Sequence, residues 1–523
     1  MRDRGSGSRH RVIFREVTVP RKECAPTQNL PAQLRARTCW AVAALVRVVL
    51  LPHQRDDRFA RRVTTQEAIM SSAAPRTYGT AAEEPAPRER RDASLGERTS
   101  MGDECTAGQA VSIIEDGMRI LVGSGAAAPT ALIEAFCARA RELRDVEVCQ
   151  LLTLGAAPYA ASEFAGHVRH NAFFIGPNTR EAVADGRADL TPVFLSEIAA
   201  LLRGPLPIDV ALVQVSPPDA HGFCSLGVSV DIVKPAVDCA KWVIAEINPR
   251  MPRTHGDAFV HISRIARFVP VDHALPELDA EPITDTTRAI GRHVASLVRD
   301  GDTLQLGIGA IPNAVLAELS SHRDLGVHTE MFSDGVVDLV ERGIVTNARK
   351  TLHRGKLVTS FVMGTKRVYD FVDDNPSIEM HPSHYVNDPF VIAKNRGMVA
   401  INSALSVDLT GQVCADSVGS RFYSGVGGQV DFVRGAARAE NGRPIIAMPA
   451  TAKGGRVSRI SVELAAGSGI TTSRADVHYV VTEYGIADLH GKTIRARVAA
   501  LVGVAHPNFR DELLAGARAR RWI

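Results

Sequence analysis

Two carboxylates and two patterns of glycine are the residues whose types and spacing bear on chemistry. The stretch HTEMFSDG places Glu330 and Asp334 directly after the apolar Leu325 and Val327. A carboxylate there stands at the end of a strand, where open α/β sheets gather their ligands. A single glutamate at such a point is either a solvated surface residue or a reactive group, and spacing alone does not separate the two. Among the glycines, GxG occurs at Gly123 and Gly125 and again at Gly307 and Gly309, while YSGVGGQVDF crowds Gly425, Gly427 and Gly428 together ahead of Gln429. Residues without Cβ cost conformational entropy and recur where backbone must approach something closely. At a strand-to-helix junction they leave backbone N–H groups at the positive end of a helix, a seat for a pyrophosphate or a developing oxyanion. The same residues also serve simple tight packing, and the triple cluster also fits a bulge or hairpin.

The first copy, Gly123, Gly125 and Ala128, satisfies GxGxxA, with Asp145 at the spacing of a ribose-binding acid, which leaves an NAD-dependent oxidoreductase open. The sequence contains no GxxxxGK phosphate loop, no GxSxG elbow and no HExxH helix, so those catalytic templates are set aside.

The elements that must position these residues follow from the texture of the chain. From Met101 onward, apolar strands alternate with amphipathic helices, the pattern of an α/β fold with mainly parallel sheets. EDGMRILVGSGAAAPTALIEAF from Glu115 and RDGDTLQLGIGAIPNAVLAEL from Arg299 align on Asp116 and Asp300, and then match Gly123 with Gly307, Gly125 with Gly309, Leu132 with Leu316 and Glu134 with Glu318. Each copy reads as a strand, a glycine turn and a helix start, once in each of two similar halves. The expected division is residues 101–285 for the first half and 286–523 for the second. Residues 1–100 are rich in Arg, Pro, Ser and Ala without a sustained period, which predicts a disordered extension. An upstream extension ahead of a working start at Met70 or Met101 is favoured over an organelle transit peptide.

Composition agrees. At 523 residues the chain exceeds one ordinary core, and 45% apolar with 23% charged residues is the balance of a folded soluble protein. A formal charge of +3 gives no electrostatic case for nucleic acid or a membrane surface, and the run Ala41 to Leu51, broken by Arg47, is far too short to span a bilayer. The eight cysteines are scattered, with no CxxC pair and no Cys/His spacing fit for zinc. This predicts free thiols in a reducing cytoplasm and no metal site.

Longer phrases carry a resemblance. HNAFFIGPNTREAV, VSPPDAHGFCSLGVSVD, LGIGAIPNAV, HTEMFSDGVVDLV, SGVGGQVDFVRGA, TAKGGRVSRI and VTEYGIADLHGK, in this order, resemble the acetyl-CoA hydrolase/transferase family and, within it, the branch of the 4-hydroxybutyrate and butyrate CoA-transferases. The resemblance implies two CoA-transferase-like α/β domains with the site in the cleft between them. It implies that Glu330 is a nucleophile that becomes a glutamyl-CoA thioester, that Gly307, Ile308, Gly309, Ala310 and Ile311 contact CoA, and that Gly425, Gly427 and Gly428 lie against the same ligand. By weaker alignment, Asn387 stands near the reacting carbonyl and Lys453 where a CoA-binding lysine fits. The implied reaction moves CoA from an acyl-CoA to a short carboxylate of the acetate, propionate, butyrate or 4-hydroxybutyrate class, with CoA as substrate and no metal or other cofactor. A cytoplasmic homodimer is expected. An acetyl-CoA hydrolase using the same glutamate and a non-catalytic CoA-binding protein are the alternatives.

Overall fold

A computed structural model describes residues 102–523. The expectations for residues 1–100 lie outside the described residues.

The first sheet has eight strands, all parallel: β1 (Asp103–Glu104), β2 (Arg119–Val122), β3 (Val146–Gln150), β4 (Val168–Ala172), β5 (Ala188–Leu190), β6 (Val210–Val215), β7 (Trp242–Ile247) and β8 (Arg267–Pro270), in the order β1-β8-β7-β6-β2-β3-β4-β5. Its central strands read as nearly continuous apolar runs, such as VALVQV in β6, where only Gln214 is polar, because both faces are covered. The second sheet has six strands: β9 (Thr303–Gln305), β10 (Gly326–Val327), β11 (Met398–Ser403), β12 (Arg443–Ala447), β13 (Tyr479–Thr482) and β14 (Gly485–Asp488), in the order β10-β9-β11-β12-β13-β14. Only the β13–β14 pair at its edge is antiparallel. The chain is therefore an α/β protein with two mainly parallel sheets, as the alternating texture predicts.

The repeat seen in sequence has a physical counterpart. In the first half Asp116 accepts from the backbone N–H of Arg144 at 2.8 Å, and Gly117 donates to the carbonyl of the same Arg144 at 2.9 Å. In the second half Asp300 accepts from Arg323 N–H at 2.9 Å, and Gly301 donates to the Arg323 carbonyl at 2.9 Å. The same turn thus starts β2 and β9, and a glycine junction then leads from each strand to a helix, α1 (Thr130–Arg139) and α2 (Ala310–Glu318).

One hydrophobic core runs through both halves. Leu121, Val213 and Cys224 of the first belong to the same buried cluster as Leu304, Phe332, Met380 and Ile445 of the second. At roughly 25 cal/mol per Å² of apolar surface removed from water, a continuous core holds the two halves together more strongly than surface contacts would.

Candidate active site

Glu330 lies between β10 and a two-residue strand, Met331–Phe332. Its backbone is fixed before its side chain does anything. The carbonyl of Glu330 accepts from the N–H groups of Ser360 and Phe361, both at 3.0 Å, and from the Thr359 hydroxyl at 3.3 Å. The side chain stands in the wall of a cavity of about 210 Å³ lined by both halves: Ser124, Gly125, Leu152, Phe174, Leu195 and Asp231 from the first, and Gly307, Ile308, Met331, Phe361, Met363 and Gly427 from the second. The lining is mostly apolar. Burial pushes the Glu330 carboxyl above its usual range, and the hydrogen bond from Asn387 works against that shift.

Asn387 donates to Glu330 Oε2 at 2.7 Å. It sits fully buried at the corner between two short helices, Ser383–Val386 and Pro389–Ile392. The corner is set locally: Asp388 caps the second helix by accepting from Phe390 N–H at 2.8 Å, and Pro389 takes the first helical position, where its missing N–H costs nothing. His328, buried and kept neutral with its pKa down to about 3, donates Nε2–H to the Val386 carbonyl at 2.9 Å and so holds the end of the helix that presents Asn387. Desolvation is the main cause of that shift, with the charge of Lys350 adding to it.

The glycine cluster closes the site from the other side. Gly428 caps α3 (Gln429–Arg438), and a Cβ placed on it would overlap both Glu330 Oε2 and Asn387 Nδ2. Close approach of the carboxylate, not a turn, is what requires glycine here. The Glu330 carboxylate consequently lies at the positive end of a ten-residue helix. A Cβ on Gly425 would press on the Phe173 carbonyl at 2.7 Å, and the Gly427 carbonyl accepts from Leu195 N–H at 3.2 Å, so the loop from the second half is seated on the first.

At the other junction, Gly307 and Ile308 line the cavity and Gly309 caps α2 with φ 107°, a value open to glycine. Ala310 and Ile311 form the first turn of that helix. Its positive end already holds an anion: Ala310 N–H donates to Glu281 Oε2 at 3.1 Å. Lys453 is exposed, with φ 51°, in the turn between strands Thr451–Ala452 and Val457–Ser458, and is not among the residues lining the cavity. Asp334, singled out with Glu330, is a structural residue. It accepts from Thr365 N–H at 2.9 Å and from the Thr365 hydroxyl at 2.6 Å, holding the loop that carries Met363.

The dinucleotide reading of the first glycine junction fails on geometry. Gly123 N–H donates to Leu212 and Gly125 N–H to Leu152, and within the first turn of α1 Leu132 N–H donates to Glu246 at 2.8 Å, so these donors are spent inside the protein. Asp145 directly precedes β3, at the opposite end of a parallel sheet from the turn that follows β2, where no ribose bound at that turn would meet it.

Two carboxyl groups near Glu330 escaped sequence reasoning. Asp431, in the first turn of α3, accepts from the N–H and hydroxyl of Ser196 at 3.1 and 2.9 Å, tying the two halves together. Burial lifts its pKa to about 7; the Ser196 hydrogen bonds oppose the shift and the charge of Glu330 adds to it. Asp231, fully buried at the cavity, accepts from the hydroxyls of Ser124 at 3.0 Å and Ser229 at 2.6 Å, and desolvation raises its pKa. The signal for Asp431 was its place in the turn of helix just beyond the glycine cluster. Asp231 had none, because its place at the cavity depends on the fold that brings Ser124, 107 residues away, against it.

Comparison with known proteins places this geometry. The acetyl-CoA hydrolase/transferase N-terminal domain matches residues 103–278 and the C-terminal domain of the same name matches residues 364–517, with Glu330 between the two spans. The chain is 50% identical over 410 residues to the 4-hydroxybutyrate coenzyme A transferase of Clostridium kluyveri, covering 78% of this chain and 96% of that one. It is 47% identical over 420 residues to the succinyl-CoA:acetate/propanoyl-CoA:succinate CoA transferase of Fasciola hepatica, covering 79% and 86%. The crystal structure of 4-hydroxybutyrate CoA-transferase from Porphyromonas gingivalis is similar with a TM-score of 0.70 at 42% identity, covering 80% of this chain and 97% of that one. These likenesses define an enzyme of the CoA-transferase class. Within it, the chain belongs to the acetyl-CoA hydrolase/transferase family, beside the 4-hydroxybutyrate and butyrate CoA-transferases.

Proposed function

We propose that the chain transfers CoA between short-chain carboxylates, of the acetate, propionate, butyrate or 4-hydroxybutyrate class, through a covalent glutamyl-CoA thioester on Glu330. The observation that carries the reading is the Glu330 carboxylate in the cavity wall, held by Asn387 and passed by a Gly428 backbone with no Cβ in its way.

A carboxylate is a weak nucleophile, but a thioester is an activated acyl donor whose thiolate, by analogy with a free cysteine, has a pKa of about 8.5 and leaves readily. A Glu330 oxygen attacks the thioester carbonyl, the C–S bond breaks, and an acyl-glutamyl anhydride and CoA thiolate result. The thiolate then attacks the glutamyl carbonyl, giving glutamyl-CoA and releasing the first acid as its carboxylate. A second carboxylate reverses both steps and departs as its CoA ester. Protons are neither gained nor lost in the cycle. Each addition puts negative charge on a carbonyl oxygen, which the Asn387 amide and the backbone at Gly427 and Gly428 are placed to receive.

The roles that follow are CoA contact for Gly307 to Ile311 and for Gly425, Gly427 and Gly428, with Lys453 reaching the distal part of CoA from its exposed turn. The apolar side chains around Glu330, among them Leu152, Phe174, Leu195 and Met363, support transfer over hydrolysis, since a thioester enclosed by them meets little water. Initial rates with acyl-CoA and acceptor varied together test the scheme: parallel double-reciprocal lines are expected, and intersecting lines oppose it.

A further inference from the structure

Away from the cavity, three side chains converge that the transfer chemistry does not use. Glu379 lies in the middle of the strand Ile378–Met380, His381 directly after it, and His353 in the loop before the neighbouring strand Leu357–Thr359. His353 Nδ1 is 2.6 Å and His381 Nε2 3.3 Å from the same oxygen, Oε2 of Glu379, and one ligand atom from each residue lies within 4.8 Å of the others. All three are partly open to solvent. We propose that His353, Glu379 and His381 form a binding site for a divalent transition metal of the zinc class.

The donor set and its surroundings carry the proposal. Two imidazoles and one carboxylate are borderline donors of the kind zinc takes, and in a tetrahedral site with bonds of about 2.0–2.2 Å the ligand atoms stand roughly 3.4 Å apart. The His381–Glu379 spacing of 3.3 Å matches this, and the His353–Glu379 spacing of 2.6 Å must open by a side-chain rotation when a metal enters. The far nitrogen of each histidine is also engaged. His353 Nε2 meets the Tyr385 hydroxyl at 2.6 Å, and His381 Nδ1 meets Asp257 Oδ2 at 2.8 Å. A metal-bound histidine typically donates its second N–H to an oxygen acceptor in this way, which fixes the tautomer and the ring plane. Asp257 can only accept, so His381 Nδ1 carries the outward proton, and the Tyr385 hydroxyl can accept one from His353 Nε2. In that tautomer both nitrogens facing Glu379 present lone pairs to a cation. A metal with a fourth position open to water satisfies that arrangement; the alternative is a proton. Parallel pairing of the two strands, with Val358 opposite Glu379, builds the cluster, which is why no ligand spacing is visible in the sequence.

The test uses the full chain after chelator treatment, with zinc chloride and cobalt(II) chloride as probes. One equivalent of zinc is expected to bind by calorimetry, with binding lost in His353→Gln, Glu379→Gln and His381→Gln, each checked for folding by its metal-free melting curve. Tyr385→Phe should weaken binding by about 10–100-fold, as removal of an outer partner does. Because free cysteines compete for metal, the cobalt-loaded wild type should show tetrahedral d–d bands without thiolate charge transfer. Should a glutamine variant fail to fold, the Tyr385→Phe affinity and the cobalt spectrum decide. No zinc uptake at one equivalent, as for a network bridged only by protons, would overturn the proposal. So would uptake unchanged in all the variants, or thiolate bands in the cobalt spectrum.

Discussion

The Asn387 amide and the Glu330 carboxylate meet at 2.7 Å, at the point where the positive end of α3 also faces that carboxylate. Burial raises the carboxyl's pKa, while the amide and the helix end favour the anion. Burial and the two stabilising groups thus pull the Glu330 carboxyl in opposite directions, and burial is the larger of the two influences.

Removing the amide shifts that balance. Asn387→Ala should lower kcat/KM by about 10–100-fold, the scale of one hydrogen bond to a charged group at roughly 1.5–3 kcal/mol. Asn387→Asp adds a second anion, which raises the Glu330 pKa further, so the acid limb of the pH–rate profile should move to higher pH. Profiles that superimpose on wild type would separate Asn387 from Glu330.

Gly428 tests close approach. Gly428→Ala puts a Cβ where Glu330 Oε2 and Asn387 Nδ2 stand, so turnover should fall by about 10²-fold or more, the scale of losing one oxyanion donor, while the loss of stability stays within the roughly 1–3 kcal/mol of local overpacking. Turnover within a few-fold of wild type would reduce the loop to a turn.

Glu281 occupies the positive end of α2, where the glycine junction was expected to receive an anion of CoA. Glu281→Gln removes a competing charge worth about 0.3–1 kcal/mol, so the KM for acyl-CoA should drop by roughly 2- to 5-fold. An unchanged KM would show that CoA places no anion at this helix end.

Asp431 makes a pH prediction with a definite sign. Its folded pKa of about 7 lies above its unfolded value near 4, so between those pH values the folded state holds the extra proton, and the stability this group contributes falls as pH rises through the window. Asp431→Asn mimics the protonated form toward Ser196. The melting temperature of the variant minus that of wild type should therefore grow from pH 4 to pH 7, and a flat difference would contradict the shift.

What could be read from sequence was what depends on local pattern. The doubled Asp-Gly turn, strand and GxG needed only periodicity and turn chemistry, and both copies fold alike at Asp116 and Asp300. The crowding of Gly425, Gly427 and Gly428 signalled close approach, and the structure supplies its objects: Glu330 and Asn387 at Gly428, and Phe173 and Phe174 at the other two. What depends on tertiary pairing stayed hidden. Glu281 reaches α2 from an irregular segment, Ser196 meets Asp431 from the other half, and the GxGxxA match stayed open in sequence because only the fold shows its N–H donors satisfied by Leu152 and Leu212. Lys453 rested on alignment alone, and the structure finds it on an exposed turn.

The central claim is the covalent role of Glu330. Wild-type protein incubated with acyl-CoA and no acceptor, treated with borohydride and mapped by peptide mass, should carry a glutamate reduced to the alcohol at position 330 and nowhere else. Glu330→Gln should show no such product, melt near wild type and lose transfer by orders of magnitude. A wild-type map with residue 330 unmodified, or a Glu330→Gln enzyme that transfers CoA at the normal rate, would contradict the account.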